Sequence, residues 1–148
     1  MAIYNENATM AEGLARYLTL YNLGDGGYTA KTFSVPFFKL FTITLPNIEN
    51  RRKAVKFHDL HHVLTEYETG LVGEAEIGAW EIASGCGKYW SAWLLNSGSL
   101  LYGLFLCPRR VWKAFSRGKK SKNLYHGYTY EETLGRTIGD IRKELGII

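Results

Sequence analysis

Four side chains near the middle of the chain have the types and spacing to hold a metal ion: His58, Asp59, His62 and Glu74, in the segment FHDLHHVLTEYETGLVGEAEIGAWE. On a helix His58 and His62 lie one turn apart, and Asp59 is rotated by only about 100° from His58, so all three can point the same way. Glu74 opens the next apolar-periodic stretch, after a turn marked by Thr69, Gly70 and Gly73. A helix reversal there would return its carboxylate toward the first three. Two imidazoles and two carboxylates suit Zn²⁺ best, with Fe²⁺ or Mn²⁺ as alternatives, and are too rich in nitrogen for Ca²⁺. His61 lies three residues after His58, on nearly the same face, and could replace or supplement His62. The zinc-protease pattern His-Glu-x-x-His does not apply, because Asp stands in place of its catalytic Glu and no third histidine follows at a suitable distance.

Written out, the spacing is His-Asp-x-x-His, eleven residues, then Glu. It resembles the signature of the Coq-four family of ubiquinone (coenzyme Q) biosynthesis proteins. The likeness runs from about Pro46 through Gly85 and returns weakly in YEETLGRTIGDIRKELGI near the C-terminus. The resemblance implies an all-helical fold, a divalent metal on His58, Asp59, His62 and Glu74, and an apolar tunnel for a long isoprenoid chain. It also implies membrane association and a part in removing and replacing the C1 carboxyl of the quinone-ring precursor. The expected partners are then an isoprenoid or quinone-like lipid, an anionic membrane surface, and other biosynthetic proteins or a second copy of the chain. A non-catalytic lipid-binding or scaffold protein is the alternative, since no dedicated general base stands out. Glu76 and Glu81 are expected at the surface, where helical glutamates usually lie.

Elements must position these groups. At 148 residues, 46% apolar and 14% aromatic, the chain is expected to form one folded domain spanning 1–148. The two cysteines, Cys86 and Cys107, have no zinc-binding spacing and make no disulfide framework. With Glu6 and Glu12 in an N-terminal stretch that lacks an apolar core, no secretory signal is expected, and the reading is cytoplasmic and peripheral to the membrane.

The net charge of +4 is concentrated in one place. Seven bases and no acid lie between Arg109 and Lys122, leaving eleven bases against fourteen acids elsewhere. Trp112 and Phe115 are interleaved with Arg109, Arg110 and Lys113, a pattern for dipping aromatics into a membrane interface while cations meet anionic headgroups. The same combination could serve RNA through base stacking. Just before it, Tyr89 to Pro108 form an uncharged run of twenty residues. The length would permit a membrane span, but Ser91, Asn96, Ser97, Gly98, Ser99 and Gly103 interrupt it. It reads as two helical pieces broken near Asn96–Ser99, buried or lining a lipid site, with Tyr89, Trp93, Leu101 and Leu104 as the lipid-facing residues. Adjacency of the run to the basic cluster favours a membrane over nucleic acid.

The spacing predicts an all-α, single-domain helical bundle. Thr9 and Glu12 form a capping box for a first helix. The stretch from Tyr28 to Pro46 would allow a short strand but reads as an extended connector and a short helix. Asn47 is the expected N-cap of a motif helix running to about Tyr67. A helix from Glu74 to Ser84 follows, then a basic helix opened by Pro108. A terminal helix is expected to be capped by Thr129 and Glu132, with Leu134, Ile138, Ile141 and Leu145 as its buried stripe.

Overall fold

The computed structural model describes residues 3–37 and 40–148. Its order is α1 (Met10–Leu20), β1 (Thr32–Phe37), β2 (Phe41–Pro46), α2 (Glu49–Thr65), α3 (Leu71–Ser84), α4 (Trp90–Leu106), α5 (Pro108–Gly118), α6 (Tyr130–Leu134) and α7 (Ile138–Glu144). The molecule is mostly helical, as expected, with one small antiparallel sheet besides. A larger core gathers α1, α2 and the C-terminal helices around Met10, Leu60, Val63, Leu64, Leu124 and Ile138. A smaller one joins α3 to α5 around Ala75, Ala79, Trp80, Val111 and Ala114.

The hairpin corrects the expected connector and short helix. β1 and β2 pair from Thr32↔Pro46 to Phe37↔Phe41. Thr32, Val35, Thr42, Ile43 and Thr44 are β-branched, and branching at Cβ favours the pleated backbone over a helix. Asn47 does not cap α2; that position is Ile48, which makes no side-chain cap bond. The Asn47 amide instead donates to the carbonyls of Gly27 (3.1 Å) and Ala30 (2.8 Å), tying the 24–30 loop to the start of α2.

The uncharged run also differs from expectation. It is one unbroken helix, and its bulky residues face outward: Leu94 is 65% exposed and Phe105 87%. The buried positions are Ser91, Ala92, Asn96 and Gly103. The weak helix formers at 96–99 do not break the helix, because Asn96 and Ser99 form its contact with Gly78 of α3, where small side chains let the backbones approach. A Cβ at Gly103 would lie 2.5 Å from the Ala75 Cβ and 2.6 Å from the Val111 Cγ2. Tertiary packing overrides propensity here. No helix among the described residues is long and apolar enough to cross a membrane.

The expected C-terminal helix is two short ones. The capping box of α1 is present, with Thr9 and Glu12 bonding each other's backbone N–H. Thr129 precedes α6 but makes no side-chain cap bond, and Thr137 instead caps α7 through the Asp140 N–H at 3.2 Å.

Packing of α4 through its small face sets an expected outcome. Gly103→Leu should destabilise the fold by about 1–3 kcal/mol or more through overpacking. Leu104→Ser, at an exposed position one residue away, should stay within about 0.5 kcal/mol. Urea denaturation of both variants checks the contrast; equal losses would mean that the helix is turned the other way.

Candidate metal centre

Three of the four expected ligands come together. His58 and His62 rise from consecutive turns of α2, and Glu74 stands in the first turn of α3. The two Nε2 atoms are 3.2 Å apart. Glu74 Oε2 lies 3.3 Å from His58 Nε2, and its Oε1 lies 3.2 Å from His62 Nε2. Two metal bonds of about 2.0–2.1 Å at a tetrahedral angle place their ligand atoms about 3.3 Å apart. The carboxylate straddles the imidazoles, and one atom from each of the three residues falls within a 4.8 Å group. The residues therefore fit a divalent cation with open coordination positions.

Asp59 is left out of this group. It is buried, and its Oδ2 accepts a 2.5 Å hydrogen bond from the Tyr28 hydroxyl. Burial raises its pKa above the ordinary carboxylate value despite the pull of His58. His61 is no substitute ligand either. It is wholly buried, its Nδ1–H donates to Glu81 Oε1 at 2.7 Å, and its Nε2 accepts the Leu124 N–H at 3.0 Å. Both ring nitrogens are engaged inside the core, and burial lowers its pKa. It is held neutral.

Glu81 is the residue that the sequence reading misplaced. It is fully buried rather than at the surface. Oε1 accepts from His58 Nδ1 (3.0 Å) as well as His61; Oε2 accepts from the Tyr125 hydroxyl (2.9 Å) and the Asn96 amide. Glu76, also expected at the surface, is buried and takes a bidentate pair from Arg110 at 2.9 and 2.7 Å. Helical spacing links Glu74 to Glu81 seven residues on, two turns along one face, and that was the available signal.

The imidazoles are oriented from behind. His58 Nδ1–H points to Glu81, and His62 Nδ1–H donates to the Tyr67 carbonyl at 2.8 Å, which turns both Nε2 atoms toward Glu74. Such outer hydrogen bonds fix the tautomer that a ligating histidine needs. Tyr17 of α1 stacks on His62 at 5.2 Å between ring centres. Burial pushes the His58 pKa down, but the Glu81 and Glu74 carboxylates push it up by more, so it ends well above its ordinary value. Burial likewise opposes charge on Glu74 and Glu81, and the neighbouring histidines outweigh it, holding both carboxyls well below the usual range.

His58 and Glu74 of the trio, together with Asp59, line a cleft of about 800 Å³, and His62 lies buried behind them. Much of the remaining wall is apolar, from Leu71 of α3, Leu95, Leu101 and Phe105 of α4, and Phe33 and Val35 of β1. Of the four residues expected to face a lipid, only Leu101 lies on this wall. Tyr89 is packed in the core against Phe57 and Tyr125, at 6.1 and 5.1 Å between ring centres. Trp93 is 41% exposed with its Nε1–H donating to the Gly87 carbonyl, and Leu104 is 46% exposed. Because α4 is continuous, its cleft side is a broad helical face that includes positions 91, 94, 98, 101 and 105, and positions 93 and 104 fall off it. Of the basic-segment residues, Arg109, Trp112 and Lys113 are exposed and Phe115 is half-buried, stacked on Trp112. Arg110 is tied to Glu76, and Arg117 donates to the Thr65 carbonyl at 3.0 Å, so the segment offers fewer free cations than its composition suggests.

The Glu81 network has two measurable consequences. Glu81→Ala leaves His58, His61, Tyr125 and Asn96 without their shared acceptor and should destabilise the protein by about 3–5 kcal/mol in urea unfolding. Cys86 lies beside Glu81, and burial together with that carboxylate pushes its thiol up to about 12. At pH 8 iodoacetamide should therefore leave Cys86 unmodified in the native protein and react with it only after unfolding. No family model, curated protein or solved structure matches this chain, so the reading of the centre rests on its own residues and geometry.

Proposed function

We propose that the chain binds one divalent cation on His58, His62 and Glu74 and acts there on an apolar, quinone-like or isoprenoid lipid held in the cleft. Zn²⁺ is the preferred ion, with Fe²⁺ and Mn²⁺ as alternatives. The observation that carries this is the convergence of two oriented imidazoles and a carboxylate beside a largely apolar cleft, with His58 and Glu74 on its wall and His62 buried behind them. Its volume of about 800 Å³ falls within the range of small-molecule sites, roughly 300–1,000 Å³. By the resemblance of its motif to the Coq-four family, the reaction would be removal or replacement of the C1 carboxyl of a prenylated ring.

When bound, the cation supplies Lewis-acid polarisation of a carboxylate or phenolate oxygen. The chain's own residues do the rest. Glu81 and the Tyr67 carbonyl orient the imidazoles; the apolar wall excludes water around the ligand. Asp59 Oδ2 and the Tyr28 hydroxyl form a buried pair that can hold a proton at the edge of the cleft. A non-catalytic lipid-binding or scaffold protein is the second reading, favoured by exposed apolar residues of α4 that lie outside the cleft, Trp90, Trp93 and Leu104.

Elemental analysis and native mass spectrometry after gentle purification should find about one divalent ion per chain. His58→Ala with His62→Ala should abolish it, and Glu81→Gln should weaken it about 10–100-fold. A metal-free protein whose cation affinity is indifferent to these changes would end the proposal. Peripheral docking is tested separately, by flotation with anionic liposomes beside an RNA shift assay. Trp90→Ser with Trp112→Ser should weaken liposome binding, because apolar insertion is not screened by salt. Binding to RNA but not to liposomes would reverse the preference for a membrane.

A further inference from the structure

The cleft contains a cation that the metal reading does not use. Arg51 lies in the first turns of α2 and lines the same cleft as His58, seven residues and about 10 Å of helix rise away. Its position is fixed from two sides. Nη1 donates to Asn47 Oδ1 at 2.9 Å, and Asn47 is itself anchored by the Gly27 and Ala30 carbonyls. The guanidinium carbon sits 3.7 Å from the centre of the Phe33 ring, on β1. Among the described residues no carboxylate forms an ion pair with it, whereas Arg110 and Arg136 each have one and Arg142 has two. Its Nε is buried with no hydrogen-bond partner. Asp59 is also on this wall, but its Oδ2 is committed to Tyr28.

A half-buried, immobilised guanidinium without a counter-ion is costly unless something supplies the anion. Arginine's planar fork matches carboxylate and phosphate oxygens. We propose that Arg51 is the anion-binding group of the cleft, and that the ligand carries a carboxylate or a phosphate on an apolar body. The apolar part lies along Leu95, Leu101 and Phe105, and the anionic group docks on Arg51, separate from the trio at His58. Burial lowers the pKa of the guanidinium and the Asp59 charge opposes this only in part, so an anion docked on the free edge of Arg51 would offset the remaining cost. The inference rests on the reading of the cleft as a lipid site and names the charge its ligand must carry.

Calorimetric titration of the purified full chain with dodecanoate, dodecyl phosphate and dodecanol, each below its micellar concentration, tests it. The better anion should bind about ten- to a hundredfold tighter than dodecanol, the size of one charge-assisted hydrogen-bonded pair. Whichever anion leads identifies the headgroup. The preference should survive EDTA treatment, fall to near unity in Arg51→Gln, and be partly kept in Arg51→Lys. Dodecanol binding as tightly as both anions overturns the inference and spares the lipid site. An anion preference lost with EDTA but retained in Arg51→Gln assigns the anion to the metal and also overturns it. Failure of all three ligands to bind overturns the cleft reading together with this one. The wild-type comparison of ligands keeps the test decisive even if Arg51→Gln folds poorly.

Discussion

One buried carboxylate holds the architecture of the site together. Glu81 on α3 meets His58 and His61 of α2, Asn96 of α4 and Tyr125 of the segment before α6, so four parts of the chain converge on two oxygen atoms. A lone carboxylate in such a place would be strongly disfavoured. Four donors reverse the balance, because hydrogen bonds to a charged acceptor contribute about 1.5–3 kcal/mol each. The result is a rigid post against which α2 is set in rotation about its axis. That rotation decides which face of α2 carries His58 and His62 toward Glu74 and which carries His61 into the core.

Around the post, the fold divides its labour by side-chain size. α3 and α4 approach through Gly78, Ser99, Gly103 and Ala75, and the large residues of α4 are turned away from α3. This close contact brings Asn96 within reach of Glu81. It also leaves a space between α4, α2 and the hairpin that none of the described side chains fills. The cleft is thus a by-product of the same packing that orients the imidazoles, so a change on the small face of α4 would be felt at both.

Much of the helical scaffold was legible because it rests on local signals: the Thr9–Glu12 capping box, Pro108 at a helix start, and the i, i+4 histidine pair. Glu74 was legible from its spacing after the turn. What escaped notice depends on contacts distant in sequence. Glu81 looks like any helical surface glutamate until His58, His61, Asn96 and Tyr125 are seen around it. Asn47 has the side chain of an N-cap, yet the loop at 27–30 claims it. The polar interruptions at 96–99 resemble a break until α3 supplies a surface that wants them. The short strands of the hairpin were weighed as a helix because Pro36 and Pro46 obscured the β-branched pattern between them.

The far end of α2 has a bearing on when the centre can form. Glu66 closes this helix in a left-handed conformation at φ 62°, and its side chain accepts from the Ile3 N–H and from Arg142. Arg142 also donates to the carbonyls of Val63 and Leu64, across sequence separations of 79 and 78 residues. The final turn carrying His62 is therefore secured by groups from opposite ends of the chain. The last turn of α2 is thus completed only when α7, far along the sequence, has packed against it.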